Sequence, residues 1–558
     1  MADFDYVIVG AGPAGCVLAN RLSEDPDVRV ALLEAGPDRN ARRLLVRMPL
    51  AMVTFMAPAL AWLGGPRFID WFRSDPEPGL QGRDMAMPRG QGVGGSSNVN
   101  GQIFIRGQRE DFDQWRDLGN IGWGHDDLLP YIRKMERFEL VAEPGSGRHL
   151  TVAGQSLADG IDPGLHGTDG PLNVAPPRSV NPMTRIFLQA AAAAGHALTP
   201  DFNGARQNGV GFYHFTQRGG ERETAESAYL TPVRQRPNLT VLAGYRARRL
   251  VLAGKRAVAV DCGDKGQVAG HEVILSAGTF VSPHLLMLSG IGPARDLARH
   301  GIPLVQDLPG VGANLQDHLD ITLSYRAKTT VPYGISWRSL PRNIGHVLDW
   351  LVRRRGLFAS TTAEAGGFVS TVPGVERPDM QLFFCAGVAN TQNAGGFTGH
   401  GFLLHVCQLR PGSIGRLALT SGDPGDKPSI LYNFFRGDSS ITPLRDGIRL
   451  ARRIMAMPPF AAHIAAEVSP GPEVDSDGAI DGFIRAEVGT LFHPVGTCAM
   501  GVGPGAVVDP ATLRVHGIDG LRVVDASVMP VLVSANTVAA TYCLAEKAAD
   551  LIRAGDRR

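Results

Sequence analysis

A chain of 558 residues, 44% of them hydrophobic, is long enough to bury two separate cores, so more than one domain is expected. Its 55 Lys+Arg offset 54 Asp+Glu to a net charge of +1, and no basic run is interleaved with aromatics, which argues against a nucleic-acid binder. The six cysteines (Cys16, Cys262, Cys385, Cys407, Cys498, Cys543) make no CxxC pair and no His/Cys cluster at ligand spacing, so no structural metal and a reducing cytoplasm are the defaults.

Asp5 to Val9 (DYVIV) is an apolar run of strand length. It begins so close to Met1 that no room is left for a cleavable signal peptide. Gly10-Ala11-Gly12-Pro13-Ala14-Gly15 follows at once, then a helical pattern through Leu18 and Leu22, then a second strand from Val28 to Leu33 ending on Glu34. In that order the glycines bring backbone N–H groups to a pyrophosphate at a helix N-terminus and the acid meets a ribose hydroxyl pair, a dinucleotide site that FAD and NAD would both fit. The competing reading of the glycines, tight-turn packing, does not exclude binding.

From Met48 to Pro66 the chain carries no charge, but prolines and a glycine pair interrupt it and it is short for a span. An apolar loop over the site is expected there, with a patch dipping into a bilayer as the alternative. Glu143 to Pro177 is rich in Gly and Pro and reads as a long surface loop. Ser336 to Phe358 has apolar residues at helical spacing beside Arg353, Arg354 and Arg355, the pattern of a solvated basic helix end or of a helix lying on a membrane. Asp379–Phe384, Phe402–Leu409 and Arg416–Leu419 alternate apolar positions and are expected as antiparallel strands of a second sheet. The loop from Gly387 to Gly401 is polar and glycine-rich and fixes no substrate shape.

Near the end, LFHPVGTCAMG (Leu491–Gly501) and LRVVDASVMPVLVSANT (Leu521–Thr537) place His493 and Asn536 in two turn-rich loops. An imidazole and an amide meeting over a cofactor can take the hydroxyl proton of an alcohol and donate to the developing alkoxide. A core histidine beside Pro494 and a turn asparagine in SANT are the plainer alternatives.

With PRGQGVGGSSNVNGQIFIRG (Pro88–Gly107), GTFVSPHLLMLSGIG (Gly278–Gly292), GVGANLQDHLDITL from Gly310 and EAGGF from Glu364, these motifs run the length of the chain in the order found in the glucose-methanol-choline (GMC) flavin oxidoreductases, which it resembles, especially bacterial choline-dehydrogenase-like and aliphatic alcohol dehydrogenases. The resemblance implies an α/β fold: a Rossmann-like FAD-binding domain (1–155, 205–315, 485–558) interleaved with an α+β substrate domain on an antiparallel sheet (156–204, 316–484). It implies FAD contacts at Gly10, Gly12, Ala14, Gly15, Glu34, Gly95, Asn100, Gly101, Ala247, Asp525, Ala526 and Thr537. His493 is then the base, Asn536 its partner, and Phe492 a pocket wall. Glu364 is either a selector for a cationic substrate or a buried, paired acid. Where some relatives attach FAD through a histidine, this chain has Val99, so FAD is expected to be non-covalent. Where most close relatives continue NAPT after the asparagine, it reads Val538-Ala539-Ala540-Thr541, and substrate or acceptor preference is expected to differ. The implied activity is oxidation of a primary alcohol to the aldehyde, with electrons passed to a quinone-type acceptor. The alternatives are an oxidase of the same fold that uses dioxygen, or a flavin-containing lyase. A cytoplasmic enzyme is expected, with peripheral contact to the inner membrane face possible in principle and oligomeric state open.

Overall fold

The computed structural model describes residues 3–51, 68–143, 145–334, 336–388, 399–436 and 441–556. Most of the uncharged Met48–Pro66 segment and of the Gly387–Gly401 loop therefore lies outside the described residues.

The first sheet has seven strands and grows from the N-terminal run. Phe4–Val9 pairs in parallel with Val30–Glu34 on one side and Gln267–Leu275 on the other; Leu239–Ala243 and Leu521–Val523 extend the parallel core outward. Val7, Ile8, Leu32, Val273 and Ile274 are fully buried, as a parallel sheet covered on both faces requires. Arg256–Asp261 and Arg249–Ala253 add an antiparallel edge. The helix Pro13–Leu22 packs back onto this sheet, and the 20-residue helix Thr537–Asp556 packs against it in turn.

The second seven-stranded sheet is antiparallel throughout, in the order Ile464–Ser469, Leu319–Ala327, Gly401–Gln408, Met380–Cys385, Ala365–Val369, Gly209–Phe212, with Gly489–Thr490 beside the second of these. Two of the three strands expected from alternation lie in it. The third does not: Arg416–Ala418 pairs only with Ser429–Leu431, in a separate ribbon. Gly209–Phe212 and Gly489–Thr490, placed with the cofactor domain on sequence, hydrogen-bond into the second sheet, because strand length and apolarity do not reveal a partner. The expected Glu143–Pro177 loop holds the fully buried strand Leu172–Ala175, which joins Glu136–Phe138, Phe215–Arg218 and Glu221–Arg222 in a four-stranded sheet. Residues of both large sheets line one cavity.

Candidate active site

The cavity, of about 1570 Å³, is larger than the roughly 300–1,000 Å³ of an ordinary small-molecule site and has room for a cofactor and a substrate together. One end is the turn after the first strand. Gly15 is packed so tightly that a Cβ there would stand 1.9 Å from the Gly10 carbonyl oxygen, which holds helix against strand. A Cβ at Gly12 or Gly101 would meet nothing within 4 Å, leaving backbone open to the cavity. Gly12 caps the helix Pro13–Leu22 without a side-chain hydrogen bond, so its positive end is free for an anion.

Gly10, Gly12, Ala14, Glu34, Gly95, Asn100, Gly101, Ala247, Asp525, Ala526 and Thr537 all line the cavity, while Gly15 lies behind it. Glu34 also does work the sequence does not announce: its carboxylate accepts from the N–H groups of Ala11 (3.0 Å), Gly36 (2.8 Å) and Gly92 (3.0 Å), tying the glycine turn to the Pro88–Gly107 segment. Asp525 likewise joins two loops, accepting from Gly278 N, Ser282 Oγ and Ser527 N. Asn100 is held by the buried Arg222, whose Nη1 donates to its carbonyl (2.6 Å) and its Oδ1 (2.8 Å). Val99 faces the cavity and packs against the cluster of Val46, Phe68 and Ile69.

At the other end His493 and Asn536 meet, with Asn536 Nδ2 3.2 Å from His493 Nε2. His493 Nδ1 is 2.9 Å from Nδ1 of the fully buried His318, so one imidazole must donate to the other. His318 Nε2 has no hydrogen-bond partner among the described residues. Asn536 Nδ2 can only donate, so His493 Nε2 is an acceptor, the His493 proton is on Nδ1, and His318 Nδ1 accepts it. His493 Nε2 then accepts from the Asn536 amide N–H where both side chains line the cavity. Burial, with Arg89 nearby, holds the His493 pKa well below the ordinary 6.5, so the ring is neutral and able to accept a proton at neutral pH.

The backbone around His493 is fixed from a distance. Phe492 has φ of +62°, rare for a bulky residue. Arg89 Nη2 donates to the Phe492 carbonyl (2.9 Å), and Asp317 Oδ1 accepts from the N–H groups of both His493 and His318 (2.8 Å each). Burial pushes the Asp317 carboxyl up to about 7, against the pull of Arg89 and of these hydrogen bonds. Arg89, Asp317, His318 and Arg222 were not singled out from sequence; the one usable signal was QDH inside GVGANLQDHLDITL, and it names no partner.

Phe492 lines the cavity, but Glu364 does not. Glu364 is 1% exposed, and its carboxylate accepts from Asn181 N (2.7 Å), Thr184 Oγ1 (2.8 Å), Ser360 Oγ (2.8 Å) and Tyr333 Oη (3.1 Å). Glu364 is thus a buried acid whose two oxygens are both hydrogen-bonded within the protein. The ceiling instead presents His405, bonded to Asp320 Oδ2 (2.8 Å) and Thr322 Oγ1 (3.0 Å). Burial opposes charge on His405, but Asp320 overrides it and the pKa lies well above the usual imidazole value.

Comparison with known proteins matches residues 4–320 and 411–545 to the N- and C-terminal family models described as GMC oxidoreductase. This chain belongs to the GMC oxidoreductase family. It is 40% identical over 557 residues to "Alcohol dehydrogenase [acceptor]" of Pseudomonas putida, covering 98% of this chain and 95% of that one. It is 41% identical over 565 residues to "Oxygen-dependent choline dehydrogenase" of Pseudomonas aeruginosa strain LESB58, covering 99% and 95%. Among solved structures, pyridoxine 4-oxidase from Mesorbium loti superposes with a TM-score of 0.84 at 31% identity over 99% of both chains. This GMC oxidoreductase uses FAD, and the residues present fit it. The open backbone at Gly12 and the uncapped helix behind it would take the pyrophosphate, Glu34 and Ala247 the adenosine end, and Gly95, Asn100, Gly101, Asp525, Ala526 and Thr537 the remainder.

Proposed function

We propose that this chain oxidises an uncharged aliphatic or aryl primary alcohol to its aldehyde and passes the electrons to a quinone-type acceptor. FAD supplies the hydride acceptor. His493 Nε2 accepts the hydroxyl proton, since a developing alkoxide makes the C–H bond a far better donor, and the Asn536 amide donates to the same oxygen. The observation that carries this reading is the 3.2 Å approach of the Asn536 amide nitrogen to His493 Nε2 at the cavity.

Preference for an uncharged alcohol over choline is supported by the withdrawal of Glu364 behind the cavity wall, where all its hydrogen bonds are internal. We place the enzyme in the cytoplasm, peripheral to the inner membrane face; among the described residues no helix is long and apolar enough to cross a membrane. The test is anaerobic mixing with primary alcohols and with choline, followed by air. Loss of flavin absorbance with hexanol or benzyl alcohol, weak response to choline and slow recovery in air are expected. No bleaching by any alcohol would favour a lyase, and fast recovery would favour an oxidase.

A further inference from the structure

Alternation decides which side chains of the antiparallel sheet face the cavity. In the register of its central strands Thr322 lies opposite His405, and His405 opposite Phe383. Two residues along the same strands, Asp320, Leu403 and Cys385 share that face, and all six line the cavity. Phe383, Cys385 and Leu403 make an apolar wall, in which Asp320, Thr322 and His405 are a polar island. His405 Nδ1 lies 2.8 Å from Asp320 Oδ2 and 3.0 Å from Thr322 Oγ1. A carboxylate can only accept, so the Nδ1 proton points at Asp320 and the ring is fixed in rotation.

The opposite edge of the ring is left over. His405 Nε2 bonds to none of the described residues, yet it is not sealed in as His318 Nε2 is, because the His405 side chain keeps 17% of its surface exposed where it lines the cavity. A pair that served the sheet alone would satisfy its atoms internally, whereas Asp320 Oδ1 is buried without a partner among the described residues and Nε2 faces open space. The same face also locates the reacting end of the cavity. Gln381, two residues before Phe383, brings its amide nitrogen to 3.5 Å from Asn536 Oδ1. Two residues along a strand and one strand across set the His405 backbone about 8 Å from that of Gln381.

We propose that His405 is a specificity-determining residue: its Nε2–H, aimed by Asp320 and Thr322, donates to a carbonyl oxygen at the far end of the substrate, so the preferred substrates are uncharged primary alcohols that carry an acyl group about 8 Å from the hydroxyl. That is the reach from a hydroxymethyl group to a para-acyl oxygen across a benzene ring. Burial opposes charge on His405, but Asp320 outweighs it and keeps the ring protonated at neutral pH, which makes Nε2 a donor. Because the carboxylate balances the imidazolium, the pair offers a directed hydrogen bond with no net charge. The inference rests on the alcohol-oxidation reading of the cavity and narrows its substrate class.

Anaerobic reduction of the holoenzyme by 4-acetylbenzyl alcohol and by 4-isopropylbenzyl alcohol, a near match in shape that lacks the carbonyl, tests it. The quantity read is the ratio, acetyl to isopropyl, of reduction rate over Kd. In Asp320→Leu/His405→Phe, which removes both members of the pair and leaves no lone buried charge, the ratio should fall roughly 10- to 100-fold, the worth of one hydrogen bond to a charged group. His405→Gln, whose amide can still donate, should give an intermediate ratio. A purely structural pair would slow both alcohols alike, so a native ratio in the double variant overturns the proposal. If that variant does not hold FAD, His405→Asn, whose amide is too short to reach, should show the same fall, and a native ratio there overturns it equally. If neither alcohol reduces the native flavin, the alcohol reading fails and the subsite is read by equilibrium titration of the flavin absorbance instead. Native protein should then bind the acetyl compound at least roughly tenfold more tightly than the isopropyl compound, and equal affinity would overturn the proposal.

Discussion

Replacing His318 with phenylalanine probes the tautomer of the base directly. The ring volume is kept, while the acceptor 2.9 Å from His493 Nδ1 is removed. The buried His493 Nδ1–H is then unsatisfied, a loss of about 1–3 kcal/mol, and the preference for the Nδ1–H tautomer falls by the worth of one hydrogen bond, about 0.5–1.5 kcal/mol. The upper end of that second range is roughly tenfold in the fraction of rings with an unprotonated Nε2. Loss of ring orientation can add up to about 10², so flavin reduction should slow roughly 10- to 100-fold at saturating alcohol. A neutral acceptor on Nδ1 also favours the imidazolium form of His493, so replacing it with phenyl should move the acidic limb of the pH profile further down. His318→Asn, whose amide oxygen can replace Nδ1 as acceptor, should recover much of the rate. The assay is anaerobic stopped-flow absorbance across pH, with FAD content and Tm measured alongside. A phenylalanine variant with native rate and native pH profile would refute the argument, because loss of packing alone would leave the profile in place.

His493→Ala should retain FAD and slow reduction by about 10²–10⁴, the range for a lost general base; near-native reduction would remove His493 from the mechanism. Because burial lowers its pKa, the active, neutral ring persists as pH falls through 6.5, so the acidic limb of kcat/KM for the native enzyme should lie below 6.5. The same shift works against stability in that window: the unfolded chain takes up a proton at this site and the folded chain does not, so the loss of Tm on lowering pH below 6.5 should be smaller in His493→Ala than in the native protein. Glu364→Gln should leave the ratio of kcat/KM for choline to that for hexanol within about twofold, since one pocket contact worth 1–3 kcal/mol would change it roughly 10- to 200-fold; a tenfold drop in the ratio would put the carboxylate in the pocket after all. With Val99 in place of a histidine, acid precipitation should release the flavin into the supernatant, and colour kept in the pellet would point to a covalent link.

The parts of the fold legible in sequence were those carried by local patterns. Residues 5–34 are a strand, a glycine turn, a helix and a strand in unbroken succession, and each piece is fixed by its own composition. Pairing between distant segments was not legible. Gly209–Phe212 and Arg416–Ala418 are both short and apolar, yet one joins the second sheet through Ala365–Val369 and the other does not. The direction a helix faces was equally hidden: the apolar residues around Trp350 fit a helix packed on a core and a helix with its stripe in water equally well, and the contacts of Asn343, His346 and Trp350 with the protein decide between them.

The same division runs through the active site. His493 and Asn536 stand out because loops rich in turn residues bring them into view, but neither loop determines where His493 points. A bulky residue held at φ of +62° is strained by about 1–3 kcal/mol and persists only when its surroundings impose it. At Phe492 those surroundings are Arg89 on the carbonyl side and, one peptide later, Asp317 on the His493 N–H. A hydrogen bond to a charged group is worth about 1.5–3 kcal/mol, so the arginine alone can offset the strain. Asp317 orients both imidazoles through adjacent backbone N–H groups, and this sets the Nδ1–Nδ1 contact that leaves Nε2 unprotonated. The geometry of the base is therefore dictated by residues 403 and 176 positions away in the chain, the first joined to the carbonyl of Phe492 and the second to the N–H of His493. A motif built around His493 can name the reacting group, while the chemistry it performs depends on side chains that no local pattern connects to it.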